Sequence, residues 1–233
     1  EIFAFGATNF SPSILTLKPC KRKNMHRIEA LLISNGIAGL EQQFRSNDRI
    51  RYTISEIGPD FDPELQGYDL VIAPNGTDHV ALYRIRHKIK AFLDAGGALF
   101  CFDGWFSDWI PGNRWIMDNS KKTIDIRYLL GEDPDGLGKL FSIADLNFSH
   151  GISGWWACGY IEPAPGATVL IADTWGRALA VIDRVSTKGL IVMTASGPLA
   201  DYSYATTDDD RSTKAMSDLY QAMLTLIPDP TTK

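Results

Sequence analysis

Cysteine is scarce in this chain of 233 residues, with three widely spaced copies at Cys20, Cys101 and Cys158. An odd and scattered set fits neither a disulfide framework nor a Cys-x-x-Cys metal site. His79 and His87 are eight positions apart, which is not the spacing of a helical metal pair. The sequence therefore predicts a protein of a reducing compartment, which we expect to be cytoplasmic, with no metal and no cofactor.

Long hydrophobic runs are missing as well. No stretch of eighteen or more apolar residues occurs, so the sequence predicts no membrane span. The first twenty residues lack the basic start and the apolar stretch of a signal peptide. Residues 1–25 are interpreted as an N-terminal extension, and residues 26–233 as a single domain.

Positive charge is in short supply. The chain has 23 Lys and Arg against 28 Asp and Glu, which gives a formal net charge of -5. Proteins that bind nucleic acid or coat anionic membranes need a basic face. We therefore expect neither kind of partner, and a composition that is 45% hydrophobic predicts one full core.

What the sequence does contain is an alternation of strand and helix patterns. Apolar runs at residues 28–34 and 68–73 predict strands that are buried on both faces of a parallel sheet. Between residues 80 and 95, apolar side chains recur at helical spacing. Gly96-Gly97 ends this helix before an apolar strand over residues 98–102. A strand, a helix and a strand at this spacing predict a right-handed βαβ unit.

The second half of the chain has a different pattern. From residue 105 to 153, aromatics, prolines and glycines predict long loops with little regular structure. Residues 168–172, 178–185 and 189–194 then predict an antiparallel meander, and residues 211–227 predict a closing helix. The predicted fold class is α/β, a flavodoxin-like three-layer sandwich with a mainly parallel central sheet and a C-terminal antiparallel hairpin or meander.

Polar residues follow two neighbouring strands of the predicted sheet. Asp103-Gly104-Trp105 follows one strand and Asn75-Gly76 follows the other, at the edge where open α/β sheets bind their ligands. Asp103 is a candidate general base or a ligand for a sugar hydroxyl, or it caps the turn at Gly104. Asn75-Gly76 either offers a backbone amide to an anion or forms a plain turn.

Aromatic side chains cluster in the loops that are predicted above this edge. Aromatic faces stack on sugar rings, so the cluster would suit a carbohydrate, but core packing or a dimer contact explains it equally well. Trp105 and Trp155 are the candidate ligand-binding residues, and His150 is either a proton-transfer partner for Asp103 or an ordinary hydrogen-bonded residue. The cluster consists of Trp105, Phe106, Trp109, Trp115, Trp155 and Trp156.

Three segments together resemble the core of the class I glutamine amidotransferase-like superfamily: YDLVIAPNG, KAFLDAGG and ALFCFDGW. Within it, the chain is most similar to the trehalose-utilisation (ThuA-like) branch, whose members are not amidotransferases. Residues 148–152 and 160–170 resemble the later loop and hairpin of that branch, and residues 188–192 resemble its last strand. The resemblance spans residues 26–227 and implies a flavodoxin-like fold.

The catalytic residues of an amidotransferase are not at the matching positions. Such an enzyme needs a cysteine on a sharp strand-to-helix elbow, with a histidine and a glutamate from a later strand. Here Phe102 stands at the elbow-like position, two residues before Gly104, and Cys101 lies one residue too early. Residues 194–198 contain no His-x-Glu pair. We therefore expect no glutamine hydrolysis.

Two functions stay open, and whether the protein is an enzyme is undecided between them. The missing triad favours a small-molecule-binding or partner-binding scaffold. The aromatic loops favour a ThuA-like enzyme that acts on a carbohydrate, with Asp103 and His150 as acid and base. The expected partner is a small polar molecule such as a sugar, or further copies of the chain in a homo-oligomer.

Overall fold

The first half of the chain forms four parallel strands. The computed structural model describes residues 26–34, 36, 40, 44–102, 104–122, 125–149, 152–153, 157–195 and 211–228. The strands lie side by side in the order β2-β1-β3-β4. Apolar runs make β3 and β4 fully buried, whereas β2 is a half-exposed edge strand. They are β1 (Ile28–Ser34), β2 (Ile50–Glu56), β3 (Leu70–Ala73) and β4 (Ala98–Cys101).

Two short helices connect β3 to β4 where the sequence predicted one. They are α1 (His79–Arg84) and α2 (Arg86–Asp94). Asp78 caps α1, because its carboxylate accepts the backbone N–H groups of the second and third residues after it. At Ile85 the backbone leaves the helical region (φ -96°, ψ 11°), which separates the two helices. Gly96, with φ 96°, turns the chain from α2 into β4.

The stretch after β4 has more regular structure than the sequence predicted. Its strands are two to four residues long, too short for periodicity to reveal. β5 and β9 pair with each other although more than forty residues separate them along the chain. The elements are β5 (Arg114–Met117), β6 (Tyr128–Leu130), a 3-10 turn (Leu137–Lys139), α3 (Ile143–Leu146), β7 (Phe148–Ser149), β8 (Ile152–Ser153) and β9 (Gly159–Glu162).

The predicted meander is confirmed. It consists of β10 (Thr168–Asp173), β11 (Ala178–Asp183) and β12 (Leu190–Thr194). β12 pairs parallel with β4 on one side and antiparallel with β11 on the other, and β6 pairs with β10 at the far edge. Within the described residues, ten strands form one mixed sheet. This is the predicted α/β fold class, with parallel strands at the centre.

The last helix, α4 (Arg211–Leu224), packs on the sheet through Tyr220. The Tyr220 ring meets Phe102 and Phe44 edge-on, with ring centroids 5.9 and 5.7 Å apart. Its hydroxyl lies 2.6 Å from the hydroxyl of Tyr52 on β2. Burial raises the pKa of Tyr52 to about 12, so this phenol is neutral at physiological pH. No helix in the part of the chain described here is long and apolar enough to cross a membrane.

Candidate functional site

Trp115 lies across the carboxyl ends of β4 and β12. Its Nε1–H donates to the carbonyl oxygen of Ala195 at 2.5 Å. The indole rests on two glycines, because a Cβ atom at Gly104 or Gly159 would come within 2.3 or 2.9 Å of the ring. Phe106 meets the indole edge-on, with centroids 4.9 Å apart. Trp115 therefore covers strand ends at the edge where open α/β sheets bind their ligands.

Phe102 stands where an amidotransferase would have its nucleophile. Its side chain is 0% exposed and packs against Phe100, with ring centroids 5.8 Å apart. Cys101 is also 0% exposed. Side chains alternate along a strand, so Cys101 and Phe102 are directed to opposite faces. Neither position offers a nucleophile to a bound amide.

Asn75 and Gly76 form the turn that ends β3. The carbonyl oxygen of Pro74 accepts hydrogen bonds from the backbone N–H of Thr77 at 3.3 Å and from its hydroxyl at 2.5 Å. Gly76 adopts φ 78°, a conformation that favours glycine. β3 and β4 are neighbouring parallel strands, so this turn and Gly104 lie at the same edge of the sheet. The ligand-binding role of Asn75, Gly76 and Gly104 stays a prediction.

The remaining predicted site residues are Asp103, His150, Trp155 and Trp105. The first three lie outside the described residues, so their roles stay predictions. Trp105 is 2% exposed, which places its ring in the core. Its Nε1 and the fully buried hydroxyl of Thr194 have no hydrogen-bond partner among the described residues. Trp105 follows β4 and Thr194 ends β12, so these two hydrogen-bond donors lie at the carboxyl ends of neighbouring strands.

His79 and Trp109 form a buried pair beside this edge. The Nε1–H of Trp109 donates to Nδ1 of His79 at 3.2 Å, and the rings stack with centroids 5.9 Å apart. An indole N–H only donates, so Nδ1 of His79 is an acceptor and the proton of the neutral ring is on Nε2. This pair fixes α1 against the loop after β4. Among the described residues, no group of three or more His, Cys, Asp or Glu side chains could hold a metal ion.

A second aromatic group, which sequence reasoning missed, surrounds Arg177 in the turn between β10 and β11. The side chain of Arg177 is 13% exposed, and its nitrogens lie 2.6 Å from carboxylate oxygens of both Asp173 and Asp118. The ring centroids of Trp175 and Tyr160 lie 5.3 and 5.5 Å from the guanidinium carbon. The sequence predicted only a turn here, and its one signal was a tryptophan two residues before an arginine.

Three large apolar side chains at this end of the molecule are exposed: Phe106 (75%), Met117 (58%) and Trp175 (42%). Trp115 and Met117 are two residues apart on β5 and lie on the same face of the strand. Asp118, the next residue, binds Arg177, whose guanidinium faces Trp175. We call Phe106, Trp115, Met117 and Trp175 the carboxyl-edge surface.

Comparison with solved structures identifies the fold. A cytoplasmic protein of Salmonella typhimurium superposes with a TM-score of 0.58 at 14% identity, over 86% of this chain and 99% of that protein. A glutamine amidotransferase of Thermotoga maritima superposes with a TM-score of 0.56 at 11% identity, over 87% of this chain and 98% of that enzyme.

Comparison of sequences adds nothing to this, since no model of a protein family and no curated protein matches the chain. Both superpositions cover nearly the whole length of the neighbouring protein, which supports the fold that the resemblance implies. At 14% and 11% identity, these two neighbours establish the fold and not the activity. The chain has a glutamine amidotransferase-like α/β fold.

Proposed function

We propose that this protein is a non-catalytic binding domain of glutamine amidotransferase-like fold, which recognises a protein partner through the carboxyl-edge surface. The observation that carries the proposal is the position of Trp115. Its indole is hydrogen-bonded to Ala195 and lies on Gly104, two residues after the fully buried Phe102. An amidotransferase keeps this place open for a nucleophile and its amide substrate. Here an aromatic side chain fills it.

The composition of the carboxyl-edge surface supports a protein partner. Aromatic residues, methionine and arginine are enriched in protein interfaces and supply most of their binding energy. Arg177 is held by two carboxylates, so the position of Trp175 beside it is fixed before a partner binds. Side chains that are ordered in advance lose less conformational entropy on association.

Site-specific photo-crosslinking tests this proposal. A benzophenone-bearing phenylalanine analogue replaces Phe106 in the cells that make the protein, and Val185 is the matched control. Val185 is 54% exposed and follows β11, at the opposite edge of the sheet. We expect a discrete adduct from position 106 and none from position 185. A second copy of the chain would be recognised by the mass of a dimer.

A purified partner then allows the energetic test. Because truncation of an interface anchor costs about 2 kcal/mol or more, Phe106→Ser should weaken binding by about thirtyfold, since each 1.4 kcal/mol is a factor of ten. Val185→Ser should leave binding unchanged. Release of glutamate from glutamine by the purified protein would contradict the non-catalytic part of the proposal. Equal adducts from both positions would contradict the assigned surface.

A second candidate is a small polar ligand such as a sugar, bound at the same edge. The buried polar atoms of Trp105 and Thr194 favour it, because they have no partner among the residues that the structure describes and a ligand hydroxyl could pair with them. If the bound sugar is also a substrate, this candidate is a ThuA-like enzyme with Asp103 and His150 as acid and base. A sugar that raises the melting temperature of the wild type but not of Asp103→Asn would support it, and retained turnover in that variant would exclude the catalytic role of Asp103.

A further inference from the structure

A cleft of 530 Å³ opens at the amino-terminal edge of the sheet, opposite the candidate site. One side is the exposed stripe of α2 that contains Lys88, Ala91 and Phe92, and the other is the segment over residues 64–69 that leads into β3. Gly97 and Ala98 at the start of β4 also line it, and Ile227 closes one end. Its volume lies in the range of pockets that bind small molecules.

The charges at this cleft are predominantly negative. Two carboxylates line it, those of Glu64 and Asp69, against the single ammonium group of Lys88. Lys88 already has a partner outside the lining, because its Nζ lies 2.6 Å from a carboxylate oxygen of Asp62. Asp69 accepts hydrogen bonds from the backbone N–H of Glu29 and from His26.

Glu64 is held in its ionised form by its own turn. One carboxylate oxygen accepts the backbone N–H of Gln66 at 3.0 Å and that of Leu65 at 2.9 Å. These two bonds lower the pKa of Glu64 below its usual value. The carboxylate is therefore a fixed negative charge at the mouth of the cleft at any physiological pH.

α2 ends at Asp94 and α4 at Leu224, and the turns that follow both helices line the cleft. The last carbonyl groups of both helices accept hydrogen bonds from these turns, so the negative charge of the cleft comes from its carboxylates. Phe92 and Tyr68 are aromatic residues of the lining, and aromatic rings attract cations. Ala91, Phe92 and Ile227 supply apolar surface for an alkyl chain.

We propose that this amino-edge cleft binds a small aliphatic amine in its ammonium form. The carboxylates of Glu64 and Asp69 compensate the charge, and the apolar lining contacts the chain of the ligand. An anion would meet two carboxylates at close range, and a bare metal ion would use none of the apolar lining. The proposal is independent of the carboxyl-edge surface, which lies at the other end of the strands.

Calorimetric titration with three five-carbon compounds tests this charge preference. The probes are 1,5-diaminopentane, 1,5-pentanediol and glutarate, which share a chain length and differ in charge. We expect saturable binding of the diamine and no heat of binding from the other two. Binding of the diamine should weaken in 0.5 M sodium chloride, because salt screens charges near a surface. Absence of diamine binding, or equal binding of the diol, would overturn the proposal.

Two variants locate the site. Glu64→Gln keeps an oxygen for both backbone hydrogen bonds but removes the charge, and we expect about fivefold weaker binding of the diamine. Ala91→Trp places a bulky ring on the exposed wall of the cleft and should abolish binding. The control is Glu56→Gln, which removes an exposed carboxylate at the end of β2. If Glu56→Gln weakens diamine binding as much as Glu64→Gln does, or if Ala91→Trp leaves binding unchanged, the amine binds elsewhere.

Discussion

Asp183 is a carboxylate that is 1% exposed at the end of β11. It accepts hydrogen bonds from Asn113 Nδ2 at 2.6 Å, from the hydroxyl of Ser186 at 2.5 Å, and from the backbone N–H groups of Val185 and Ser186 at 2.7 and 3.0 Å. Burial alone would raise the pKa of Asp183. The hydrogen bonds outweigh this effect and hold the pKa below its usual value.

Asp183→Asn should lower the free energy of unfolding by about 2 kcal/mol at pH 7, because an amide nitrogen would face donors that the carboxylate now accepts from. The folded pKa is depressed, so the contribution of the charge is present above the unfolded pKa of about 3.9 and is lost as the pH falls through the folded value. Urea unfolding at pH 7 and pH 3 measures the contribution of this charge to stability. The difference in free energy of unfolding between the variant and the wild type should be smaller at pH 3.

Asp94→Asn is the control for Asp183→Asn. Asp94 forms an exposed ion pair with Lys90, four residues earlier on α2. Loss of such a pair costs less than about 1 kcal/mol. If Asp183→Asn lowers the free energy of unfolding by the same amount at both pH values, the charge of Asp183 does not contribute to stability.

At the scale of elements, α1 depends on a cap because it has six residues and ends at a break. Asp78 satisfies the backbone N–H groups of Val80 and Ala81 at 2.9 and 3.1 Å. A helix this short has little stability of its own. The cap therefore positions His79, and with it the Trp109 pair, beside the carboxyl edge.

Asp78→Ala should lower the free energy of unfolding by about 1 kcal/mol, the usual cost of a lost N-cap. Asp78→Asn should be close to wild type, because the amide oxygen caps equally well. Chemical denaturation of the three proteins measures both differences. If Asn and Ala are equally destabilising, the charge of Asp78 matters and the capping geometry does not.

The elements that the sequence predicted well are those with long patterns of their own. The apolar runs of β1, β3, β4 and the meander, and the glycine stop after α2, required no knowledge of distant contacts. β5 and β9 were missed because each is short and pairs with a strand that is distant in the sequence or outside its own pattern. The break at Ile85 was missed because the apolar residues keep helical spacing across it.

The sequence predicted where the candidate site lies but not which side chains occupy it. The strand ends of β3 and β4 do meet at one edge, as the βαβ pattern predicts. The position of Trp115 on Gly104 depends on contacts between residues that are far apart in the sequence, and so does the grouping of Asp118 with Arg177. The amino-edge cleft forms between α2, the segment before β3 and residues 227–228, so no local pattern indicates it.

At the scale of the whole molecule, the reactivity of the Cys101 thiol reports global unfolding. It lies on β4, which pairs with β3 and β12 on its two sides, and it is fully buried. Cys158 is exposed. An amide or thiol at the centre of a sheet becomes accessible only when a large cooperative unit unfolds.

In a Cys20→Ser background, a thiol reagent such as DTNB should react rapidly with one group, Cys158. Cys101 should react at least about a thousandfold more slowly, because the unfolded fraction of a stable domain is below about one in a thousand. Denaturant should make both react at once. Adding Cys158→Ser should remove the rapid phase, and a rapid phase that persists would show that β4 is accessible in the native state.

β12 joins the parallel half of the sheet to the antiparallel half, and among the described residues it is the last strand in chain order. β1 to β4 are complete about ninety residues before it, so their contact with β12 has a long loop to close and forms late. Until then the outer edge of β4 is an unpaired, wholly apolar strand, which is a template for association with other chains. The meander of β10 to β12 is local and forms quickly, so it can dock on β4 as one preformed unit. Mutations that weaken the meander should therefore lower the yield of folded protein through aggregation, even where the finished molecule tolerates them.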